Sequence, residues 1–438
     1  SNGGALNFGS NMYLTNIKIY MYNCQFNENN ADNNGGSLYI QSYQGIHCQN
    51  CNFTNNKSKQ GKSSVYISTY FECKNPDSGA NIQIPGELYR DPSIMIYQCN
   101  FLGNNKNNNN EICISNSQKA PIEISQCKFN DEIVKGFIIS IDDAQVKSPQ
   151  IKNCTFSFSN NNELSKAIHS STNDISFVGN SFIKCVEKLI GLEDKDVNGI
   201  VQLIENNFIE CKKSTILDIT FKKQPKIEGN YFMNVELSSM LLIFRCDGFN
   251  TLKLSGNNFS LFSMSGEISG IGLQTQIIGL DDPLHLTFED CKFTKITCSS
   301  TVKNGGALCC ESNLNEGKTY LTMLNCMFEG NKHNKDGSLY VNLKHEIIIE
   351  KCSFTENEAS KGASIYIKPD YQDYSDISKI TITGCNFKQN NPSQSSSVFI
   401  EAGKTKNVNI NSCTFEEDYG LLITNFVGDI ELIDLEFI

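Results

Sequence analysis

The sequence predicts an all-β fold, a right-handed parallel β-helix (solenoid) of about fifteen coils, and three observations predict it. A motif, apolar-x-apolar-x-x-(Cys or Asn)-x-Phe, recurs along the 438 residues. Its copies lie mostly 22 to 28 residues apart, with steps of 33 to 35 in three places and one of 48. Many copies are followed by a Gly or small-residue step and a second apolar run.

Clean copies are Ile122-Ile124-Cys127-Phe129, Val201-Leu203-Asn206-Phe208, Leu321-Met323-Cys326-Phe328 and Ile380-Ile382-Cys385-Phe387. Apolar residues two apart face one side of a strand. The parity slips by one before the Cys or Asn, as a corner requires, and the next alternating pair points inward again. The anchors Phe26, Phe53, Phe101, Phe129, Phe156, Phe182, Phe208, Phe232, Phe259, Phe293, Phe328, Phe354, Phe387, Phe415 and Phe437 should therefore be buried in one stack.

The second element supplies another strand per coil: Gly35-Gly36-Ser37-Leu38-Tyr39-Ile40, Gly305-Gly306-Ala307-Leu308, Gly337-Ser338-Leu339-Tyr340-Val341 and Gly362-Ala363-Ser364-Ile365-Tyr366-Ile367. Self-similarity at this period marks a solenoid. Coils joined by main-chain hydrogen bonds rise ~4.8 Å each, so about fifteen make a rod of about 70 Å. Parallel crossovers are right-handed as a rule. Leucine-rich repeats share the period, but their Leu-x-x-Leu-x-Leu-x-x-Asn signature is missing and nothing reads as a helical back face.

At the Gly-Gly-Ala/Ser-apolar steps and at Phe-x-x-Asn (Phe26/Asn29, Phe53/Asn56, Phe101/Asn104, Phe328/Asn331, Phe354/Asn357, Phe387/Asn390) the chain resembles a known family. It looks like the polymorphic outer-membrane-protein repeat, within the pectin-lyase-like right-handed parallel β-helix superfamily. The resemblance covers roughly the first quarter and the last third of the sequence. It implies a surface-exposed β-helical passenger used in adhesion.

The residue two before each anchor divides the chain, read as one continuous solenoid over 1–438, into sectors. It is Cys in 1–170, Asn in 171–262 and Cys again in 263–438, apart from the final Leu435. Stacked Asn amides can bond from coil to coil, and stacked Cys pack as small polarizable hydrophobes. Residues 68–93, with Pro76, Pro85 and Pro92, read as an insertion in one coil.

Composition excludes several classes. The net charge is −11 and the only arginines are Arg90 and Arg245, too few for a nucleic-acid groove. No apolar run reaches the ~18 residues of a membrane span. Asparagine makes up 54 of the 438 residues, but the Asn tracts fall between strands and read as loops.

Nineteen cysteines raise metal and disulfide chemistry. Cys48-x-x-Cys51 lacks a second pair at zinc-ribbon spacing, so no metal or other cofactor is expected. In-register ladder cysteines have Cβ atoms ~4.8 Å apart, wider than the roughly 3.5–4.5 Å of a bridge. Disulfides are expected off the ladder, at Cys185 with Cys211 and among Cys298, Cys309 and Cys310. The five histidines (47, 169, 285, 333, 345) show no metal-ligand spacing and read as solvated. Polysaccharide lyases and hydrolases use this architecture, yet the resemblance brings no Gly-His-Gly turn or Arg-x-Lys. The only adjacent Asp pairs are Asp142-Asp143 and Asp281-Asp282, so no catalytic residue is assigned and no enzyme is expected.

Four sequons begin at Asn52, Asn56, Asn153 and Asn258. Alternation points Asn52 and Asn258 outward, and Asn56 occupies the Phe-x-x-Asn slot. Tyr39, Tyr66, Tyr340 and Tyr366 recur between inward residues as a candidate sugar-stacking stripe. The expected protein is a non-enzymatic, extracellular or cell-surface structural or adhesive element. Its partners would be further coils, by end-to-end self-association or continuation of the same chain, and surface glycans. A carbohydrate-binding module is the alternative, and a polysaccharide lyase or hydrolase the third reading.

Overall fold

In the computed structural model the protein is described at residues 4–8, 18–32, 35–41, 45–58, 65–68, 93–102, 112–115, 121–131, 137–142, 149–158, 166–170, 175–185, 190–192, 200–212, 217–221, 223–237, 242–247, 251–264, 271–278, 284–299, 305–311, 319–343, 345–368, 379–402, 405, 407–426 and 428–438. The chain is a right-handed parallel β-helix of about fifteen coils. It forms two units, Ser1–Val201 and Gln202–Ile438. The expected insertion lies outside the described residues, except that Ser68 ends one strand and Ser93 begins the next.

Each coil contributes one strand to each of three parallel sheets, here A, B and C. In unit 1 a coil runs through Leu38–Gln41 (A), Gly45–Gln49 (B) and Asn52–Thr54 (C). In unit 2 a coil runs through Leu339–Asn342, Glu346–Glu350 and Ser353–Thr355. Register matches motif position to motif position, with Phe53 beside Phe101 and Phe328 beside Phe354.

The parity slip has a backbone cause. The residue three before the anchor adopts a left-handed conformation: Asn23, Asn50, Gln98, Gln126 and Asn153 have φ of 52–55°. A second left-handed residue follows the anchor by two, as at Glu28, Asn55, Glu210, Asn234, Glu356 and Gln389. Two such kinks bracket a three-residue strand and point its central Phe inward. For a residue bearing Cβ the conformation costs roughly 1–2 kcal/mol, least for Asn and Asp, so the packing between the kinks must offset it. The third corner uses glycine. Gly362 has φ +53°, and a Cβ on Gly337 would collide with the carbonyl of Gly362.

That packing is a stack of rings. In unit 1, successive anchors from Phe26 to Phe182 stack with centroids 4.8–4.9 Å apart. In unit 2 those from Phe208 to Phe437 stack at 4.6–5.2 Å. The strand spacing dictates this distance, and it suits offset aromatic pairs. The anchors are buried except Phe437.

One expected exposure is overturned. Tyr39, Tyr340 and Tyr366 are buried, at 4–6% accessibility, so they form no sugar-stacking stripe. Tyr340 and Tyr366 join Cys309 and Phe399 in a second apolar cluster on the outer side of sheet A. The Gly305 turn packs over it, since a Cβ there would lie 2.9 Å from Cβ of Tyr340. The side chain of Tyr66 lies outside the described residues.

Candidate functional site

The two corners flanking the anchor carry the buried polar chemistry. In the corner before it, Asn230 Nδ2 donates to Leu203 O at 2.8 Å and to Asn257 Oδ1 at 3.0 Å. Asn230 Oδ1 accepts from Asn206 N and Nδ2, both at 3.0 Å. Cysteine takes the same route where it replaces Asn. Cys154 Sγ lies 3.5 Å from Ile124 O, the position matching the Ile151 O bonded by Asn180 Nδ2 at 2.8 Å. The ladder thiols are therefore weak donors to buried carbonyls as well as packing groups. Burial pushes the Cys127 thiol well above its ordinary range, with Cys154 acting in the same direction, so it stays protonated.

In the corner after the anchor, Asn357 Nδ2 donates to Phe328 O at 3.0 Å and Asn390 Oδ1 at 2.9 Å. Asn390 in turn donates from N and Nδ2 to Asp418 Oδ2 at 3.1 and 2.7 Å. Asn56 belongs to this set. It gives Nδ2 to Phe26 O at 2.8 Å and takes Asn29 N and Nδ2 on its Oδ1 at 3.0 and 2.8 Å. With no accessible surface, Asn56 is closed to a glycan, which corrects its place among the sequons. Asn153 is the exposed one, at a left-handed corner. Asn52 and Asn258 are half-buried, and Asn52 Oδ1 already accepts from Asn100 Nδ2 at 2.8 Å.

The expected disulfide positions are all buried. Cys185 and Cys211 each fill the corner after an anchor. Cys298 Sγ lies 2.9 Å from Gly306 O, whereas Cys309 belongs to the outer aromatic cluster. Cys310 pairs in register with Val341 on the interior face of sheet A. Neighbouring Cys309 and Cys310 thus face opposite sides, and the expected bridging among Cys298, Cys309 and Cys310 is corrected. The solvated reading of the histidines also fails for His333 and His345, which are buried. His333 Nδ1 accepts from Asp336 N at 2.9 Å. Asp142 ends a strand, but its side chain, Asp143 and the Asp281-Asp282 pair lie outside the described residues.

Two groupings escaped sequence reasoning. On the outer face of sheet B in unit 1, Tyr20 and Tyr22 are 56% and 50% exposed. Their ring centroids are 6.4 Å apart and nearly parallel, with His47 5.5 Å from Tyr22. Inside the same unit, Cys99 brings a third sulfur to Cys48 and Cys51, the three Sγ atoms lying within 4.8 Å of one another. Ladder logic could have found it, because Cys51 and Cys99 hold the same slot in neighbouring coils. What the ladder alone did not show is that Cys48, from the middle of its strand, closes on the Cys99 of the next coil.

Residues 267–434 match the family described as the right-handed β-helix region. No curated protein is similar enough in sequence to count as a relative. Among solved structures, a PL6-family alginate lyase, AlyGC, is similar over 96% of this chain and 84% of that one. Identity is 8% and the TM-score 0.23, so this likeness supplies no function.

Proposed function

We propose that this chain is a non-enzymatic extracellular structural or adhesive β-helix whose interior exists to stack one coil on the next. The observation that carries this reading is where the regularity lies. Anchor rings repeat from coil to coil inside each unit, and corner amides run from coil to coil through Asn206–Asn230–Asn257 and Asn331–Asn357–Asn390 in unit 2. Outward positions instead carry changing, solvated pairs such as Lys332–Glu358 and Lys379–Glu346. Such pairs contribute little stability. The Gly-Gly-Ala/Ser and Phe-x-x-Asn motifs, similar to polymorphic outer-membrane-protein repeats, favour a surface role.

Parallel main-chain pairing of this kind can be continued by another coil, from the same polypeptide or from a second copy. Electron microscopy of the native protein tests this reading: filaments are expected, and dispersed single particles would overturn it.

Tyr20, Tyr22 and His47 favour a second reading, a carbohydrate-binding module, because exposed aromatic faces stack on sugars. A glycan array decides between them. Binding lost in Tyr20→Ala and Tyr22→Ala would establish the module, while silence of the native protein leaves the structural reading.

A further inference from the structure

Most coils of unit 1 place one sulfur at the corner before the anchor. Cys48 adds another from the middle of the sheet. It lies on Gly45–Gln49, between Met21 and Ile96 in the register of sheet B. Its Sγ is 3.6 Å from that of Cys99, and Cys51 completes a triangle with no side longer than 4.8 Å. All three are buried, at 0–3% accessibility. Sulfurs bound to one small cation at ~2.3 Å stand about 4 Å apart, so these thiols need move only by tenths of an ångström to share an ion.

The donors select the ion. The void beside Cys48, of about 10 Å³, is walled by Met21 and by aliphatic and aromatic side chains such as Ile46, Phe53 and Ile96. The three sulfurs, within 4.8 Å of one another, bracket a single ion and stand closer together than cysteines that hold separate irons of an iron–sulfur cluster. Zinc takes four ligands, or three and an open water position, and an apolar interior supplies neither. Cu(I) is selected by thiolate and thioether donors.

We propose that Cys48, Cys51 and Cys99 form a buried site for a soft monovalent cation, Cu(I), with the Met21 thioether at its margin. Each thiol that ligates releases its proton to solvent, so uptake strengthens as pH rises.

The test uses the full, reduced chain, incubated without oxygen in a Cu(I)–bathocuproine buffer. One copper per chain by native mass spectrometry, with a sulfur-only shell by X-ray absorption, is expected. Cys48→Ser should lower affinity at least about 100-fold, while Cys127→Ser, on the ladder but with Ile124 at the position matching Cys48, should leave it unchanged. Should Cys48→Ser fail to fold, Cys48→Val carries the same expectation, because the matching position in the next coil is Ile96. The proposal is overturned if no copper is retained, or if the Cys48 variants bind as well as the native chain. Nitrogen or oxygen in the copper shell would also overturn it, as would a Cys48–Cys99 disulfide in protein isolated without reductant.

Discussion

Within unit 2, residues 202–264 and 319–418 build the same coil with the buried amide at opposite corners. In the first region Asn206, Asn230 and Asn257 hold the corner before the anchor, and Cys211, Val235 and Phe262 fill the corner after it. In the second, Cys326, Cys352, Cys385 and Cys413 stand before the anchor, and Asn331, Asn357, Asn390 and Asp418 follow it. In these two regions each coil carries its polar rung at one corner only. Where it sits at one corner, the other is free to be apolar or to carry a thiol that donates weakly to the same carbonyls, as Cys352 Sγ does to Met323 O at 3.8 Å. Asp418 fits this logic, since a carboxylate can only accept and receives the last rung.

The anchor ring is common to both regions, so its loss should be felt in both. Phe232→Ala and Phe354→Ala are each expected to cost about 3–5 kcal/mol, read by denaturant unfolding. A cost confined to one region would show that the stack does not unify the coils. Removing a rung should cost less. Asn230→Leu and Asn357→Leu each strand buried donors and a carbonyl, worth about 2–4 kcal/mol together, with hydrogen exchange rising in the adjoining coils. If Asn357→Leu were neutral, the rung would be dispensable where cysteine faces it.

Moving chemistry between corners sharpens the point. Cys352→Asn places an amide where the first region has one, within reach of Met323 O, and should change stability by less than ~1 kcal/mol. A severe loss would mean that the second region is shaped for sulfur. The smallest effect concerns pH. Burial pushes the Asp336 carboxyl up to about 6, against the pull of Lys361, Lys335 and Lys368. Because this lies above the unfolded value of about 3.9, the folded state holds the proton more tightly. The associated stability is full below about pH 4 and is lost as pH rises through about 6. Asp336→Asn should flatten that slope in the exchange of residues 319–368 and leave residues 202–264 unchanged.

Several features were legible in the residues because a solenoid turns sequence spacing directly into spatial register. Phe328 and Phe354 share a motif position, and therefore they stack. The half-step before Cys326 and Cys352 marked a corner, and Asn325 and Lys351 supply its left-handed residues. The run Leu339-Tyr340-Val341 also carried a sign that alternation misreads. It has no polar member, as a strand covered on both sides requires, and Tyr340 is buried accordingly.

By itself the sequence determined the anchors, the coil period, the slots of both ladders and the facing of the inward residues, all consequences of two-residue periodicity and parallel register. Only the tertiary structure decided what lies against the outer side of a strand and which side chains of adjoining coils close on one another. It closed the Tyr340–Tyr366 face with turns, shut Asn56 into a ladder, and set Cys99 against Cys48. Each of these depends on segments distant in sequence meeting in space. Local periodicity records which way a side chain points, and it carries no information about what the rest of the chain brings to meet it.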